Sequence, residues 1–172
     1  IKTAWGGKSI GRDFRPPSSG LPPKEKIDEF VMSMAKRDHN NWVKQKWNQL
    51  KKENPKISKK EAEAQVEKSI DEILKEKSDQ YRKEVIESHG HYYRLMVKEV
   101  EDCLSNLKIR FPTYEGQGYE ISGFVWFQGW NDMYNGFEDE YAQNMKNFIR
   151  DIRKDLGLPR LSFVIDIRGN DG

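Results

Sequence analysis

A polar turn follows an apolar run in the second half of the chain. Residues 121–127 have the composition of a buried strand, and Gln128 and Asn131, which follow directly, carry side-chain amides. In open α/β sheets, ligands bind beyond the carboxyl ends of the strands, where such amides can donate hydrogen bonds to a substrate. Because Gly, Asn and Asp also form ordinary turns, this run alone leaves both interpretations open.

A glycine-rich turn near the N-terminus offers backbone donors of the same kind. Residues 1–4 are predicted to be the end of a strand, and Gly6 and Gly7 follow them. Glycine lets the backbone approach a ligand closely because it has no Cβ. If this turn meets the amide-bearing one, a glycine N–H and an amide form an oxyanion hole for acyl transfer. Loss of one such donor typically costs roughly 3 to 4 kcal/mol of transition-state stabilisation.

Strands and helices alternate in the parts of the chain that carry the two turns. This order is typical of an α/β fold with a mostly parallel sheet and helices on both faces. Besides the strand end at 1–4, the predicted elements are a helix at 92–107, a strand at 121–127, a helix at 138–155 closed by Gly157 and Pro159, and a strand at 161–167.

A charged block without glycine interrupts this pattern. All 13 glycines lie outside residues 21–89, and residues 24–87 contain 16 basic and 14 acidic residues. We therefore predict an α/β domain formed by residues 1–21 and 89–172, with an insertion at 22–88.

Apolar residues in the insertion recur at spacings of three and four, which predicts two amphipathic helices. Pro22 and Pro23 fit the start of the first helix, and Asn54-Pro55 fits its end. Ser58 and Glu61 form a capping box at the start of the second. The two helices are expected to form an antiparallel hairpin.

Two interpretations of the hairpin differ in the role of Trp42 and Trp47. In the first, the tryptophans anchor a protein partner or lid contact made through residues 24–87. In the second, they pack between the hairpin's own helices. The second is favoured because Lys and Glu dominate the outer faces, as on solvated helices.

Composition excludes several other classes of function. A net charge of +2 gives no argument for nucleic acid, and no apolar stretch is long enough to span a bilayer. The single cysteine, Cys103, cannot form an intrachain disulfide and is expected to be a small buried side chain. His39, His89 and His91 lack a second ligand cluster, so we predict no metal site, and nothing calls for a cofactor.

Two segments resemble a known family. Residues 1–9 read IKTAWGGKS and residues 124–132 read FVWFQGWND. Together they resemble the sialate O-acetylesterase group of bacterial carbohydrate esterases, in the SGNH hydrolase superfamily. The resemblance covers about residues 1–20 and 90–172. It implies part of a three-layer fold with a mostly parallel sheet, an acetylated carbohydrate as substrate, and a secreted or periplasmic location.

The resemblance also implies roles for the two turns. Gly6 or Gly7 supplies a backbone N–H to the oxyanion hole. Gln128 and Asn131 compete for the amide role, because Trp130 stands where many members of the group have Glu.

Three side chains are candidates for holding the sugar. Trp5 and Trp130 are the candidates for stacking on a sugar ring. Arg15 either holds a sugar carboxylate with two hydrogen bonds or ties down a surface loop, and the sequence favours neither.

Two parts of the family's site are not found in the sequence. No serine has the Gly-Gln-Ser-Asn setting of the nucleophile, and no histidine follows Asp by three positions. Ser9 is the nearest serine, but it follows the glycines instead of preceding them.

We therefore expect an internal piece of a serine-type carbohydrate O-acetylesterase that is inactive alone. Its serine would lie upstream of Ile1 and its Asp-x-x-His downstream of Gly172. The alternative is a non-catalytic glycan-binding or scaffolding protein with the hairpin as an interaction arm.

Overall fold

The chain divides into two compact units in a computed structural model that describes residues 1–66 and 68–166. Ile1–Leu21 and Ser88–Gly172 form one, here called the sheet unit, and Pro22–Glu87 form the other, the helical unit. The break coincides with the change in glycine content and charge. The roles predicted for the two parts, an esterase domain and an inserted hairpin, stay predictions.

Helices α1 (Lys24–Glu53), α2 (Lys59–Glu63) and α3 (Ile70–Ser88) make up the helical unit. Helix α1 begins after Pro23 and ends before Asn54, as predicted. The predicted capping box is confirmed, since Ser58 Oγ accepts from the N–H of Glu61 and the Glu61 carboxylate accepts from the N–H of Ser58.

The prediction of one continuous second helix was wrong. Helix α2 ends at Glu63 and α3 begins at Ile70. The chain restarts at a second capping box, in which the N–H of Ser69 donates to Glu72 Oε2 at 2.7 Å and the N–H of Glu72 donates to Ser69 Oγ at 3.3 Å. This pair satisfies donors that a helix N-terminus leaves free, so it favours a new start there.

Side chains of α1 and α3 pack against each other. The Tyr81 hydroxyl donates to Asp38 Oδ2 at 2.6 Å, and Arg82 pairs with Asp28. Both tryptophans of α1 contact their own unit. Trp47 donates its indole N–H to the carbonyl of Ile57 at 3.2 Å, and Trp42 packs against the apolar cluster. The cluster's buried members are Ile27, Val31, Ala35, Ile73, Tyr81 and Val85.

The sheet unit holds α4 (His91–Ser105), α5 (Leu107–Arg110), β1 (Phe124–Phe127), α6 (Tyr141–Asp155) and β2 (Phe163–Asp166). The two strands pair in parallel, with Phe124 opposite Phe163 and Phe127 opposite Asp166. Parallel strands need a crossover connection, and α6 lies within it. The chain is thus mostly helical with a small parallel sheet, which is consistent with part of an α/β domain. The three-layer arrangement stays a prediction.

One predicted strand is absent, and another is shorter than predicted. Residues 1–4 form no strand, because neither described strand pairs with them. In the predicted strand 161–167, β2 covers Phe163–Asp166, and Ile167 lies outside the described residues. The predicted helix 138–155 begins with a 3₁₀ turn, Glu138–Glu140, before α6.

The core of the sheet unit lies on one face of the sheet. Trp126 is buried against Phe148 with ring centroids 4.6 Å apart, and Phe124 stacks on Phe163 at 5.0 Å. The alternate residues face away from this core and are exposed: Val125, Phe127 and Val164. Cys103 is buried, as predicted. Over the described residues, no helix has the length and apolar character required to cross a membrane.

Candidate functional site

The two turns that carry the predicted donors meet at one backbone carbonyl. Lys8, which follows Gly7, accepts at its carbonyl oxygen from Gln128 Nε2 at 2.9 Å and from Asn131 Nδ2 at 3.4 Å. Gln128 directly follows β1, so the N-terminal glycine turn lies beside the carboxyl end of that strand. This is the edge of a parallel sheet at which α/β proteins bind ligands.

Gln128 uses both N–H groups of its amide within the protein, whereas its buried Oε1 has no hydrogen-bond partner among the described residues. Its Nε2 donates to the carbonyl of Lys8 and to Asp132 Oδ2, the latter at 2.5 Å. Because a primary amide carries two N–H groups, neither is left for a substrate. The backbone carbonyl of Gln128 accepts from the Tyr141 hydroxyl at 3.0 Å, which fixes the residue further.

Asn131 and the two glycines keep donors that the protein does not use. The 3.4 Å contact to Lys8 is the one hydrogen bond of the Asn131 amide among the described residues, so its second N–H is unengaged. Gly6 and Gly7 are exposed, and their N–H groups donate to no other group in the described part of the chain. Gly7 has φ +71°, a left-handed conformation that glycine adopts without strain.

A buried carboxylate lies beneath this site. Asp132 is 2% exposed and accepts from the N–H of Ile10 at 2.8 Å and of Gly11 at 2.7 Å, besides the Gln128 amide. Burial raises the pKa of Asp132, while these hydrogen bonds act in the opposite direction. This role could not be read from the sequence, because an Asp in a polar turn is equally a turn former.

Lys8 places a cation near the glycine turn. Its Nζ lies 4.2 Å from the centre of the Tyr92 ring and 3.6 Å from Asp13 Oδ1. Hydrogen bonding to Tyr92 is the largest cause of a raised pKa for Lys8, and Asp13 adds to it. The ammonium group is therefore charged at neutral pH and compensated by Asp13.

Ser9, the nearest candidate for a nucleophile, is part of a turn. It is 4% exposed, and its hydroxyl donates to Asp13 Oδ2 at 3.3 Å and accepts from the N–H of Arg12 at 3.1 Å. These contacts bury the hydroxyl and bind it on both sides, which is typical of a structural serine.

Arg15 occupies a buried pocket of loop carbonyls. Its guanidinium donates to the carbonyls of Gly11 and Gly20 at 3.0 and 2.7 Å and pairs with Glu140 at 2.8 Å. Only 7% of the side chain is exposed. A sugar carboxylate would have to displace Glu140, so the geometry favours the loop-tying interpretation.

The two tryptophan candidates differ in exposure. Trp130 lies beside Asn131 and is 55% exposed. Trp5 is half-buried and packs edge-on against Tyr92 with ring centroids 5.2 Å apart. Trp130 is therefore the ring with a free face.

A cleft of about 760 Å³ lies elsewhere in the sheet unit. Its walls come from the ends of α4 and α6 and from the segments that precede β1 and β2, with Glu101, Glu120 and Arg160 among the charged residues. It therefore lies at the amino ends of the strands, the edge opposite the one at which α/β proteins bind ligands. No group of three or more metal-ligating side chains occurs within residues 1–66 and 68–166.

Comparison with known families gives this arrangement a context. A family described as carbohydrate esterase, sialic acid-specific acetylesterase, matches residues 75–168, just over half of the chain. The match includes β1, the turn with Asn131, and α6, whereas the glycine turn lies before it. Comparisons with curated proteins and with solved structures found no significant match. The chain therefore belongs to the sialic acid-specific acetylesterase family of carbohydrate esterases.

Proposed function

We propose that this chain supplies the oxyanion hole of a serine-type carbohydrate O-acetylesterase. The observation that carries the proposal is the pair of hydrogen bonds from Gln128 and Asn131 to the carbonyl of Lys8. They set an exposed glycine turn beside an amide that keeps a free N–H, which supports a site for one shared anion.

Asn131 and Gly7 are the donors we propose. Both N–H groups of Gln128 donate to Lys8 and Asp132, whereas Asn131 keeps one N–H that no described residue accepts. Gly7 is exposed, and its N–H donates to no group among the described residues, so this N–H is available to an ester group. Gln128 then acts as the support of the turn.

The reaction would follow the chemistry of serine esterases. A serine from sequence outside these 172 residues attacks the acetyl carbonyl, and a histidine from outside them takes the serine proton. The carbonyl oxygen becomes an anion that Gly7 and Asn131 hold. The bond to the sugar oxygen then breaks, the sugar alcohol leaves with the proton, and water releases acetate from the acyl-enzyme.

The substrate would be an acetylated sugar such as an O-acetylated sialate. The exposed ring of Trp130, next to Asn131, offers an apolar platform for the sugar. As the resemblance to bacterial esterases implies, we expect the protein to act in a secreted or periplasmic setting.

The test is acetate release by the full-length protein from p-nitrophenyl acetate and from acetylated sialic acid. We expect Asn131→Ala to lower kcat by roughly 10²- to 10³-fold, as for loss of one oxyanion donor. Asn48→Ala removes an amide from an exposed position on α1 and serves as the control. The 172-residue chain alone should give no turnover.

Two results would count against the proposal. Full activity in the Asn131→Ala protein would remove this amide from the hole. Binding of the sugar without any hydrolysis by the full-length protein would favour the glycan-binding alternative instead.

A further inference from the structure

A buried side chain that would touch no substrate also joins the two turns. Asp132 is buried, and the described residues provide no salt bridge to its carboxylate. A buried carboxylate without a cation is costly unless hydrogen bonds compensate it. Here three N–H groups do so, two from the backbone of Ile10 and Gly11 and one from Gln128.

These hydrogen bonds join the same two segments as the amide contacts at Lys8. Asp132 holds Ile10 and Gly11, and Gln128 and Asn131 hold Lys8. Residues 8–11 are therefore attached to residues 128–132 at several successive positions. Gly7 directly precedes this attached segment, and Asn131 directly precedes Asp132.

A separate packing contact fixes the same segment. A Cβ on Gly11 would lie 2.5 Å from two atoms of the Phe137 ring and 2.9 Å from the Cβ of Phe137. Phe137 is buried and belongs to the loop that follows β1. Only glycine allows the backbone at position 11 to lie this close to the ring.

We propose that Asp132 is a positioning residue that sets the spacing between the Gly7 N–H and the Asn131 amide. The inference rests on the proposed function, because that spacing matters when both groups bind one anion. Donors of an oxyanion hole act within a narrow range of distances, and a misplacement of about 1 Å can lower the rate by about 100-fold.

The test compares matched variants of the full-length protein. Asp132→Asn places an NH2 group against donors, so at least one N–H of Ile10, Gly11 or Gln128 loses its acceptor. Asp139→Asn makes the same change of charge at an exposed position in the same loop region and is the control. We expect kcat for p-nitrophenyl acetate to fall by roughly 10- to 100-fold in Asp132→Asn with KM nearly unchanged, and no change in the control.

Gly11→Ala provides an independent route, because it displaces the segment while leaving the carboxylate in place. It too should lower kcat with little effect on KM. Hydrogen–deuterium exchange of the peptide that contains residues 8–11 should be faster in both variants than in Asp139→Asn. The exchange measurement does not depend on activity, and Gly11→Ala decides the matter if Asp132→Asn fails to fold.

The outcomes separate this inference from the proposed function. If Asn131→Ala loses activity while folded Asp132→Asn and Gly11→Ala keep the wild-type kcat, the positioning role is overturned and the oxyanion hole stands. A lower kcat together with a higher KM and a lower Tm in both variants would also overturn the positioning role, because this result would indicate a general structural role. If Asn131→Ala is fully active, the proposed function itself has failed.

Discussion

Replacing Gly7 by alanine should destabilise the protein, whereas the same change at Gly6 should not. An added Cβ meets nothing within 4 Å at either position, so neither variant introduces a clash. The two differ in backbone conformation, because Gly7 has φ +71° and Gly6 is not among the glycines with positive φ. The pair therefore isolates the cost of a left-handed conformation.

The expected magnitude follows from two opposing effects. A residue with a Cβ pays roughly 1 to 2 kcal/mol in the left-handed region. Alanine also restricts the unfolded chain, which stabilises by about 0.4 to 1 kcal/mol wherever the native conformation accepts it. Gly6→Ala should therefore be neutral or slightly stabilising, and Gly7→Ala should lie about 1 to 2 kcal/mol below it.

Thermal unfolding followed by circular dichroism measures this difference. For a domain of this size, about 1 kcal/mol corresponds to a change of roughly 2 to 4 °C in Tm. If the strain is relieved by rotation of the peptide at Gly7, its N–H turns away and kcat falls in Gly7→Ala alone. Equal Tm values for the two variants would refute the reasoning, since the difference in φ would then have no energetic consequence.

Two further predictions concern the helical unit and the sugar platform. Tyr81→Phe removes the hydrogen bond to Asp38 without leaving a cavity and should cost about 1.5 kcal/mol at neutral pH. The Tyr81 hydroxyl holds the pKa of Asp38 below 3.8. The pKa of Tyr81 is raised to about 12, mainly by burial and secondly by its hydrogen bond to the Asp38 carboxylate. The stabilisation should therefore be lost as the pH falls below 3.8, and also as the pH rises from 10.0 through about 12. Urea unfolding of wild type and Tyr81→Phe at several pH values can check this. A difference in unfolding free energy that stays constant with pH would contradict the prediction. Trp130→Ala should raise KM for an acetylated sugar by roughly three- to tenfold, with Tm and the hydrolysis of p-nitrophenyl acetate unchanged. An equal effect on both substrates would exclude sugar stacking.

Local signals predicted both ends of the long helix α1. Helix α1 starts after Pro23 and stops before Asn54 because proline and the loss of periodicity act within a few residues. The interruption between α2 and α3 was missed although its signal, Ser69 with Glu72, stands in the sequence. The apolar stripe continues across the interruption, so a prediction from periodicity alone joined α2 and α3 into one helix.

The interior of the candidate site could not be predicted in the same way. Asp132 bonds the backbone of Ile10, 122 positions away, and Arg15 pairs with Glu140, 125 positions away. Such pairs depend on how distant loops come together, and a single sequence carries no sign of which loops those are. From the sequence, Gln128 and Asn131 were both candidates for the proposed oxyanion-hole amide. They differ in their hydrogen bonds, and only the structure reveals that difference.

The strict alternation of the two strands gives the sheet two apolar faces. Phe124 and Trp126 face the interior, whereas Val125, Phe127 and Val164 present an apolar outer surface to water. Exposed apolar strands are sites at which chains associate with one another. In an α/β fold with helices on both faces of the sheet, a second layer of helices packs on this outer surface. Lysine at position 125 or 164 would then disrupt that layer while leaving the packing around Trp126 intact.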